Sequence, residues 1–196
     1  RGVAGRPIII CGLNPIPIDF SVAKQLEGGR MEWRPAREAL DHGVLQLPGP
    51  EGLAIIDGSD GKGSALYDCR DLRLEHLVFY NGRTELAMHR CQRVTVADCV
   101  MTGEPERSFA GVVFCIEGPK DRPSRDIRLE RLLIYNLKEC GISVSPGALY
   151  DSCWEACIAH GMQSSGGDGF SFSHVTPNTT KPGAHPNRVQ GKFPNG

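Results

Sequence analysis

An internal repeat is the feature that most constrains how this sequence can fold. The segment that begins at Leu72 and reads LRLEHLVFYN recurs from Val94 and from Ile127, and a weaker copy begins at Ser152. The steps between these first residues are 22, 33 and 25 residues. Each copy alternates apolar and polar residues, breaks, and continues with a second apolar stretch that ends near Asn or Gly. Alternation with a period of two predicts strands, and a final Asn or Gly favours a tight corner.

A second ladder of apolar segments lies between these copies. Its members are Leu86–Met88, Val112–Phe114, Ile142–Val144 and Phe170–Phe172. Each repeat thus holds two or three short strands, without a convincing crossover helix and with connections of unequal length. These properties argue against a doubly wound sheet and predict an all-β solenoid, in which each repeat forms one coil. Successive coils would stack about 4.8 Å apart through backbone hydrogen bonds.

The aligned copies also predict which side chains stack in the core. One equivalent position is held by Leu77, Cys99, Leu132 and Cys157. Cys69 and Cys91 each precede the first aligned position by three residues, so they should lie one above the other, as a thiol pair or as a disulfide. Most of the eight cysteines are expected to be small, buried apolar residues, because no CxxC pair or zinc-finger spacing is present.

The composition narrows the choice of partner and of domain organisation. The 22 basic and 23 acidic residues leave a formal net charge of -1, which calls for neither nucleic acid nor an anionic membrane as a partner. No apolar run approaches the length of about 18 residues that spans a bilayer. We expect a single domain over residues 1–196, and the start at Arg1 without an initiator Met fits a processed or excised segment.

The N-terminal part is less regular than the rest of the chain. Pro7–Gly12 and Leu53–Gly58 are typical of strands from early coils. Residues 20–42 are a possible insertion or cap, with an interrupted helix predicted within 23–42. A separate N-terminal domain is the alternative, but it would contain too little apolar material to fold alone. At the other end, residues 174–196 are predicted to form a long loop or tail.

These motifs together resemble a known family. The sequences GRPIIICG at Gly5–Gly12 and AIIDG at Ala54–Gly58, followed by the Cys-containing copies, are similar to the opening coils of bacterial right-handed β-helix proteins. The sequence GGDGFSF at Gly166–Phe172 looks like the Asn-Ala-Asp-Gly-Phe segment of calcium-dependent pectate lyases with that fold. The resemblance implies a right-handed, single-stranded parallel β-helix with irregular loops, a carbohydrate-active function, and an extracellular or periplasmic location.

The pectate-lyase resemblance also implies a calcium site. The family's aspartate in this segment belongs to its calcium site, so Asp168 would be a calcium ligand. Asp168 aligns with Cys140 in the second ladder, so Glu139 should lie near Asp168 at the same corner of a neighbouring coil. The family's second Asp-Asp-Gly-like coil is absent here. The alternative is that the Gly-Gly-Asp-Gly sequence is a turn, since Asp and Gly are favoured there for backbone reasons.

Candidate catalytic residues follow the last recognisable strand. Lyase chemistry at a uronic acid needs a cation that stabilises the carboxylate and the enolate-like intermediate, together with a base that takes the α-proton. Lys181 and Arg188 are predicted to lie in the loop after that strand, where they could fold over the same face, and His174 lies at its start. The alternative is that each is an ordinary solvated side chain.

The outward positions of the second ladder are predicted to form a shallow lane along the axis of the solenoid. Solenoids commonly use such extended surfaces for binding. A linear polysaccharide could lie in this lane, in contact with His89, Ser143, Ser145, Ser171 and Ser173. The alternative is that a loop or the N-terminal segment covers the lane, which would make it interior packing.

The sequence as a whole predicts a calcium-dependent polysaccharide lyase that acts by β-elimination on a glycan containing uronic acid. One alternative is a non-catalytic β-helix that binds a glycan or a protein. Another is a glycoside hydrolase on the same fold, which needs clustered aspartates on one strand face. The sequence shows too few aspartates there.

Overall fold

The structure, a computed structural model, describes residues 2–16, 24–25, 31–32, 54–116, 122–160, 162, 168–172 and 188–190. All regular elements in these ranges are β-strands, and none is a helix. No segment of them could therefore cross a bilayer as a helix. In chain order the strands are β1 (Ile8–Cys11), β2 (Lys24–Gln25), β3 (Met31–Glu32), β4 (Ala54–Asp57), β5 (Ser64–Tyr67), β6 (Arg70–Glu75), β7 (Leu77–Tyr80), β8 (Thr84–His89), β9 (Gln92–Ala97), β10 (Val100–Thr102), β11 (Ala110–Phe114), β12 (Ser124–Glu130), β13 (Leu133–Tyr135), β14 (Cys140–Val144), β15 (Leu149–Tyr150), β16 (Cys153–Glu155), β17 (Ile158–His160), β18 (Asp168–Phe172) and β19 (Arg188–Gln190).

The strands form three parallel sheets. The first sheet has the order β1-β6-β9-β12-β16-β19, with β15 also paired to β12. The second has the order β4-β7-β10-β13-β17, and the third has the order β5-β8-β11-β14-β18. The chain visits the first, second and third sheets in turn and then repeats the circuit, which we call a coil. The first coil is β1, β4 and β5, the second is β6 to β8, and later coils follow in the same way. This arrangement is compatible with a parallel β-helix.

The strand registers confirm both predicted ladders. In the first sheet Leu72, Val94 and Ile127 are direct neighbours. In the third sheet the aligned neighbours are Leu86, Val112, Ile142 and Phe170. Equivalent residues of neighbouring inner coils are 22, 33 or 25 positions apart in the first sheet and 26, 30 or 28 positions apart in the third, so the connections between strands absorb the difference as loops of unequal length.

The N-terminal part matches the sequence analysis only in places. The two predicted early strands are present as β1 and β4, which pair with β6 and β7. The third sheet begins one coil earlier than predicted, because β5 pairs with β8. The helix predicted within residues 23–42 is wrong at β2 and β3, which pair with each other as short antiparallel strands outside the three sheets. The sequence between these two strands contains Gly28 and Gly29, which have low helix propensity.

Stacked equivalents form the core between the three sheets. Leu77, Cys99 and Leu132 are at most 3% exposed, and Cys157 packs against the same cluster, as predicted. Burial raises the pKa of Cys99 to about 12, so this thiol is neutral at physiological pH. All eight cysteines are free, so the predicted stack of Cys69 on Cys91 is a thiol pair and not a disulfide.

Charged pairs join equivalent corners of neighbouring coils. Three arginines each donate two hydrogen bonds to an aspartate of the preceding coil: Arg90 to Asp68 at 3.1 and 3.0 Å, Arg93 to Asp71 at 2.6 and 2.9 Å, and Arg131 to Asp98 at 2.6 and 2.6 Å. All six residues have a φ between 51 and 54°, in the left-handed region that non-glycine residues rarely adopt. Since both partners share this conformation, their side chains leave the backbone in similar directions and meet in bidentate pairs.

Asparagine and glycine alternate at the corner between the second and third sheets. Equivalent positions there are held by Gly58, Asn81, Gly103 and Asn136. Oδ1 of Asn81 accepts the backbone N–H of Glu104 at 2.7 Å, and Nδ2 of Asn136 donates to the carbonyl of Gly103 at 2.8 Å. The asparagine side chains therefore tie the loop after β10 to the coils below and above it.

Candidate functional site

The predicted lane lies on the outer face of the third sheet. Its row of aligned residues is Ala65, Ala87, Val113, Ser143 and Ser171. Ala65 is exposed, and Ala87, Val113 and Ser143 are half-buried. Because neighbouring strands lie about 4.8 Å apart, five strands give this row a length of about 19 Å.

A second row on the same face contains Tyr67, His89 and Cys115. It is more closely packed than the sequence analysis predicted. His89 is only 5% exposed, and its ring stacks on that of Tyr67 with centroids 4.4 Å apart and an interplanar angle of 11°. Sγ of Cys115 lies 3.5 Å from Nδ1 and 3.4 Å from Nε2 of His89. Nearly equal distances put the sulfur over the face of the ring, whereas a directed hydrogen bond would favour one nitrogen. His89 is thus packed between its neighbours, and Tyr67, at 50% exposure, is the aromatic side chain that meets solvent.

The serines predicted to contact the polysaccharide are placed only in part. Ser143 lies in β14 and Ser145 directly follows the end of that strand, and both are half-buried. The backbone of Ser171 pairs with that of Ser143, and Ser173 lies outside the described residues. Substrate contacts from these serines therefore remain predictions.

Two cationic side chains lie over the same aromatic ring at the start of the third sheet. The guanidinium carbon of Arg83 lies 5.6 Å from the centroid of Phe109, and Nζ of Lys138 lies 4.5 Å from it. Both cations are exposed, and neither forms an ion pair with a carboxylate within the described ranges. The backbone N–H of Glu139 donates to the carbonyl of Phe109 at 2.9 Å, so all four residues lie at one corner.

The predicted calcium ligands lie on neighbouring strands. Cys140 pairs with Asp168, so the backbone of Glu139 lies one residue before that pair, and the Glu139 side chain is exposed. No three His, Cys, Asp or Glu side chains in the described part of the chain converge on a common point that could hold a metal ion. The ligand roles of Asp168 and Glu139 remain predictions.

Of the three predicted catalytic residues, only Arg188 belongs to the described part of the chain. Arg188 begins β19, which pairs with β16 in the first sheet, whereas Asp168 begins β18 in the third sheet. Arg188 therefore belongs to a strand and not to the loop that the sequence analysis expected. A three-residue strand is too short to show a clear alternation. Lys181 and His174 lie outside the described residues.

Glu85 is a site feature that the sequence analysis missed. It is 2% exposed, and one of its carboxylate oxygens, Oε2, accepts the backbone N–H of Gly82 at 3.2 Å. Burial raises the pKa of Glu85 to about 7; the nearby Ser108 hydroxyl and the Gly82 N–H oppose this shift, and the Asp57 carboxylate adds to it. A signal was present in the repeats, because glycine holds the equivalent position in the next three coils, at Gly111, Gly141 and Gly169.

The chain was compared with known proteins at three levels. No family model, no curated protein and no solved structure matches the chain.

Proposed function

We propose that the chain is a right-handed, single-stranded parallel β-helix. The regular visit to three sheets in turn supports this, because each return to a sheet is a crossover between parallel strands. Such crossovers are right-handed in nearly all proteins, since the twist of the strands favours that hand. A far-ultraviolet circular dichroism spectrum dominated by β-structure is expected. A spectrum dominated by helix would contradict the fold.

We propose that the protein binds a linear polysaccharide containing uronic acid along the lane. The observation that carries this proposal is the register of the third sheet, which aligns Ala65, Ala87, Val113, Ser143 and Ser171 across five strands. A row of about 19 Å offers an extended chain one continuous surface instead of a closed pocket. Binding would take place outside the cell or in the periplasm, where such polysaccharides are met.

Side chains beside the lane carry the positive charge and the exposed aromatic surface that can bind an acidic sugar chain. Arg83 and Lys138 carry positive charge at the start of the third sheet and can pair with uronate carboxylates. Tyr67 exposes half of its surface at the edge of the lane, where its ring can pack against the apolar face of a sugar. Charge and apolar contact together would favour a polyuronate over a neutral glycan.

Calcium-dependent β-elimination is the second function that we propose. It is favoured by the pairing of Cys140 with Asp168, which brings the backbones of Asp168 and Glu139 to neighbouring positions at one end of the lane. Calcium held there would stabilise a uronate carboxylate and the enolate-like intermediate. The base that takes the α-proton would be one of Lys181, Arg188 and His174.

A blocked lane tests the binding proposal. The variant Ser143→Trp places a large side chain in the middle of the lane, and its matched control, Thr95→Trp, places the same side chain on the first sheet. We expect S143W to weaken binding of a polyuronate at least tenfold in calorimetric titration and T95W to leave it unchanged. Equal affinity in the two variants would contradict the lane as the binding surface.

The lyase is tested separately by its product. Cleavage by β-elimination yields unsaturated sugars that absorb in the ultraviolet, so absorbance should rise when calcium and polyuronate are present together. Asp168→Ala should abolish the rise. Binding without any increase in absorbance would leave a non-catalytic glycan-binding protein and would rule out the lyase.

A further inference from the structure

The outer face of the second sheet carries a row of aliphatic side chains. The register of four neighbouring strands aligns Ile55, Val78, Val100 and Leu133, which we call the aliphatic row. Successive side chains of a strand point to opposite faces, and the neighbours Leu77 and Phe79 belong to the core, so Val78 points away from it. Val78, Val100 and Leu133 form a buried apolar cluster of their own. Contiguous apolar surface on the outside of a protein marks a contact with another segment or another molecule.

The inner members of the aliphatic row are covered, and the first member is not. Val78, Val100 and Leu133 are 1%, 0% and 5% exposed, whereas Ile55 in the first coil is 43% exposed. Ile16 belongs to the same cluster and is 7% exposed, although it follows β1 of the first sheet. The chain therefore leaves the first sheet after β1 and reaches the outer face of the second sheet at Ile16.

The connection that contains Ile16 is much longer than its equivalents. In the later coils one or two residues join the strand of the first sheet to the strand of the second, whereas residues 12–53 join β1 to β4. This connection leaves and rejoins the coils at the corner between the first and second sheets. A segment of it is tethered beside the aliphatic row, which gives it a high effective concentration there.

The sequence that follows Ile16 has the pattern of an extended run with one apolar side. It reads IPIDFSV up to Val22, with an apolar residue at every second position. Alternation with a period of two predicts that Ile18 and Phe20 share the face on which Ile16 lies. Four residues of extended chain span about 13 Å, and the three covered strands of the row span about 10 Å. The run is therefore long enough to cover the buried members.

We propose that residues 17–22, which lie outside the described ranges, continue from Ile16 across the outer face of the second sheet and cover the aliphatic row. The next outward row, Tyr80, Thr102 and Tyr135, is buried or half-buried as well, and its hydroxyl groups can bond the backbone of the covering run. Pro17 has no N–H, so one donor fewer loses water on this apolar face. The covering run would fasten three coils together from outside, and this role does not rest on the proposed function.

A matched pair of substitutions within the covering run tests the proposal. Phe20→Asp puts a charge on the side that faces the aliphatic row, and Ser21→Asp puts the same charge on the opposite side. In denaturant titration F20D should raise the equilibrium constant of unfolding at least about tenfold, because its carboxylate would lose water against the row. S21D should leave this constant within a factor of about two, because its carboxylate stays in water. Equal effects of the two substitutions would overturn the proposal.

A double-mutant cycle tests the place at which the run lies. Val100→Ala shortens the middle of the aliphatic row, and its control, Val112→Ala, shortens a side chain of the third sheet that is equally buried at 0% exposure. Phe20→Ala should raise the unfolding constant at least about threefold less in the V100A protein than in the wild type, because the two side chains share a contact. In the V112A protein it should keep its full effect. Additive effects in both backgrounds would overturn the placement on the second sheet.

The dependence on protein concentration identifies the occupant of the row. A covering run from the same chain predicts a thermal unfolding midpoint that is independent of concentration. If a second copy of the chain covered the row, the midpoint would rise with concentration in the wild type and would lose this dependence in V100D. That outcome would overturn the proposal.

Discussion

The first coil and the inner coils use the same kinds of residue, but they bury them to very different extents. Ile10 is 48% exposed, whereas Leu74 and Val96, which follow it in the same stacked row, are 4% and 0% exposed. In the second sheet Ile56 is 38% exposed and its neighbour Phe79 is 1% exposed. The difference therefore comes from position in the stack and not from hydrophobicity.

Burial in this fold is produced by neighbours on both sides. A side chain of an inner coil is covered by its equivalents above and below, and each of its strands has two paired edges. Within the described residues, the first coil has a paired neighbour on one side only. Nearest-neighbour contacts carry most of the stability of stacked repeats, so the energetic cost of a substitution should depend on the coil in which it occurs.

The largest expected effect comes from one pair of identical substitutions. Ile134 and Ile56 occupy the same stacked row of the second sheet, but Ile134 is 0% exposed and Ile56 is 38% exposed. Ile134→Ala should lower the free energy of unfolding by about 4 kcal/mol, because it leaves a cavity between two covered coils. Ile56→Ala should cost about 1 kcal/mol, since its side chain is already partly in water.

Denaturant titration of the two variants measures this difference directly. Both should keep the wild-type β-sheet spectrum. Equal losses of stability would show that the first coil is as well covered in solution as the inner coils.

The pH dependence of stability should also differ between the first coil and the second coil. The pKa of Glu85, inside the second coil, is raised from 4.5 to about 7, whereas that of Asp57, exposed in the first coil, is lowered by hydrogen bonds from Ser59. For Glu85 the folded state keeps a proton that the unfolded chain loses. The protonated Glu85 side chain therefore contributes roughly 3 kcal/mol to the free energy of unfolding. This contribution is complete below pH 4.5 and is lost as the pH rises to about 7. The contribution of Asp57 to the free energy of unfolding has the opposite pH dependence: because its pKa is lowered in the folded state, the contribution is lost as the pH falls.

The Glu85 contribution is isolated by subtracting the pH profile of E85Q from that of the wild type. Both profiles should be measured in the same buffers and at the same ionic strength. A flat difference between pH 4.5 and about 7 would mean that Glu85 is hydrated in solution.

Charged pairs should show a smaller difference between the coils. Arg131 makes two hydrogen bonds of 2.6 Å to Asp98 and holds the pKa of that carboxyl group below its usual range. In the first coil Lys62 lies 3.9 Å from Asp60, and both side chains are mostly exposed. Arg131→Ala should cost about 1 kcal/mol after allowance for solvent screening, and Lys62→Ala should cost nearly nothing. Added salt should shrink the Arg131 effect, and an effect that is independent of salt would assign it to packing.

The reactivity of the cysteine thiols should also differ between the first coil and the inner coils. Cys11 in the first coil is exposed, whereas burial raises the pKa of Cys91 to about 11 and that of Cys99 to about 12. Only the thiolate is nucleophilic, so Cys11 should react with a maleimide in the native protein before Cys91 and Cys99 do. Mass spectrometry of labelled peptides would identify the order, and early labelling of Cys99 would show that the inner coils open readily.

The sequence predicted the strand ladders well because their signal is local. Apolar alternation in each copy sets which side chains face the core, and a slip of one residue would invert every one of them. The alignment of Leu72 with Val94 and of Leu86 with Val112 was therefore confirmed residue by residue. The strand at Ser64–Tyr67 was missed because it offers only one inward apolar residue.

The candidate site was harder to predict because it depends on contacts between coils. The sequence around Glu85 does not distinguish it from a solvated glutamate; only the glycines at the equivalent position of later coils mark this position, and its burial at 2% exposure is a property of the stacked coils. The packing of His89 between Tyr67 and Cys115 likewise requires three coils in register. The Asp–Arg pairs could have been found from the repeat alignment, since the two members of each pair occupy equivalent positions: Asp98 and Arg131 lie within it, and the other two pairs lie just before its first residue.

The sequence alone determined that this chain alternates apolar residues in repeating units, and hence that it builds stacked parallel strands with Leu77, Cys99 and Leu132 inside. Only the tertiary structure decided which polar groups lose contact with water. Hydrophobic alternation is encoded within each strand. Desolvation of a carboxyl group such as that of Glu85 is decided by neighbours that are distant in the sequence, because it depends on what covers the group from every side.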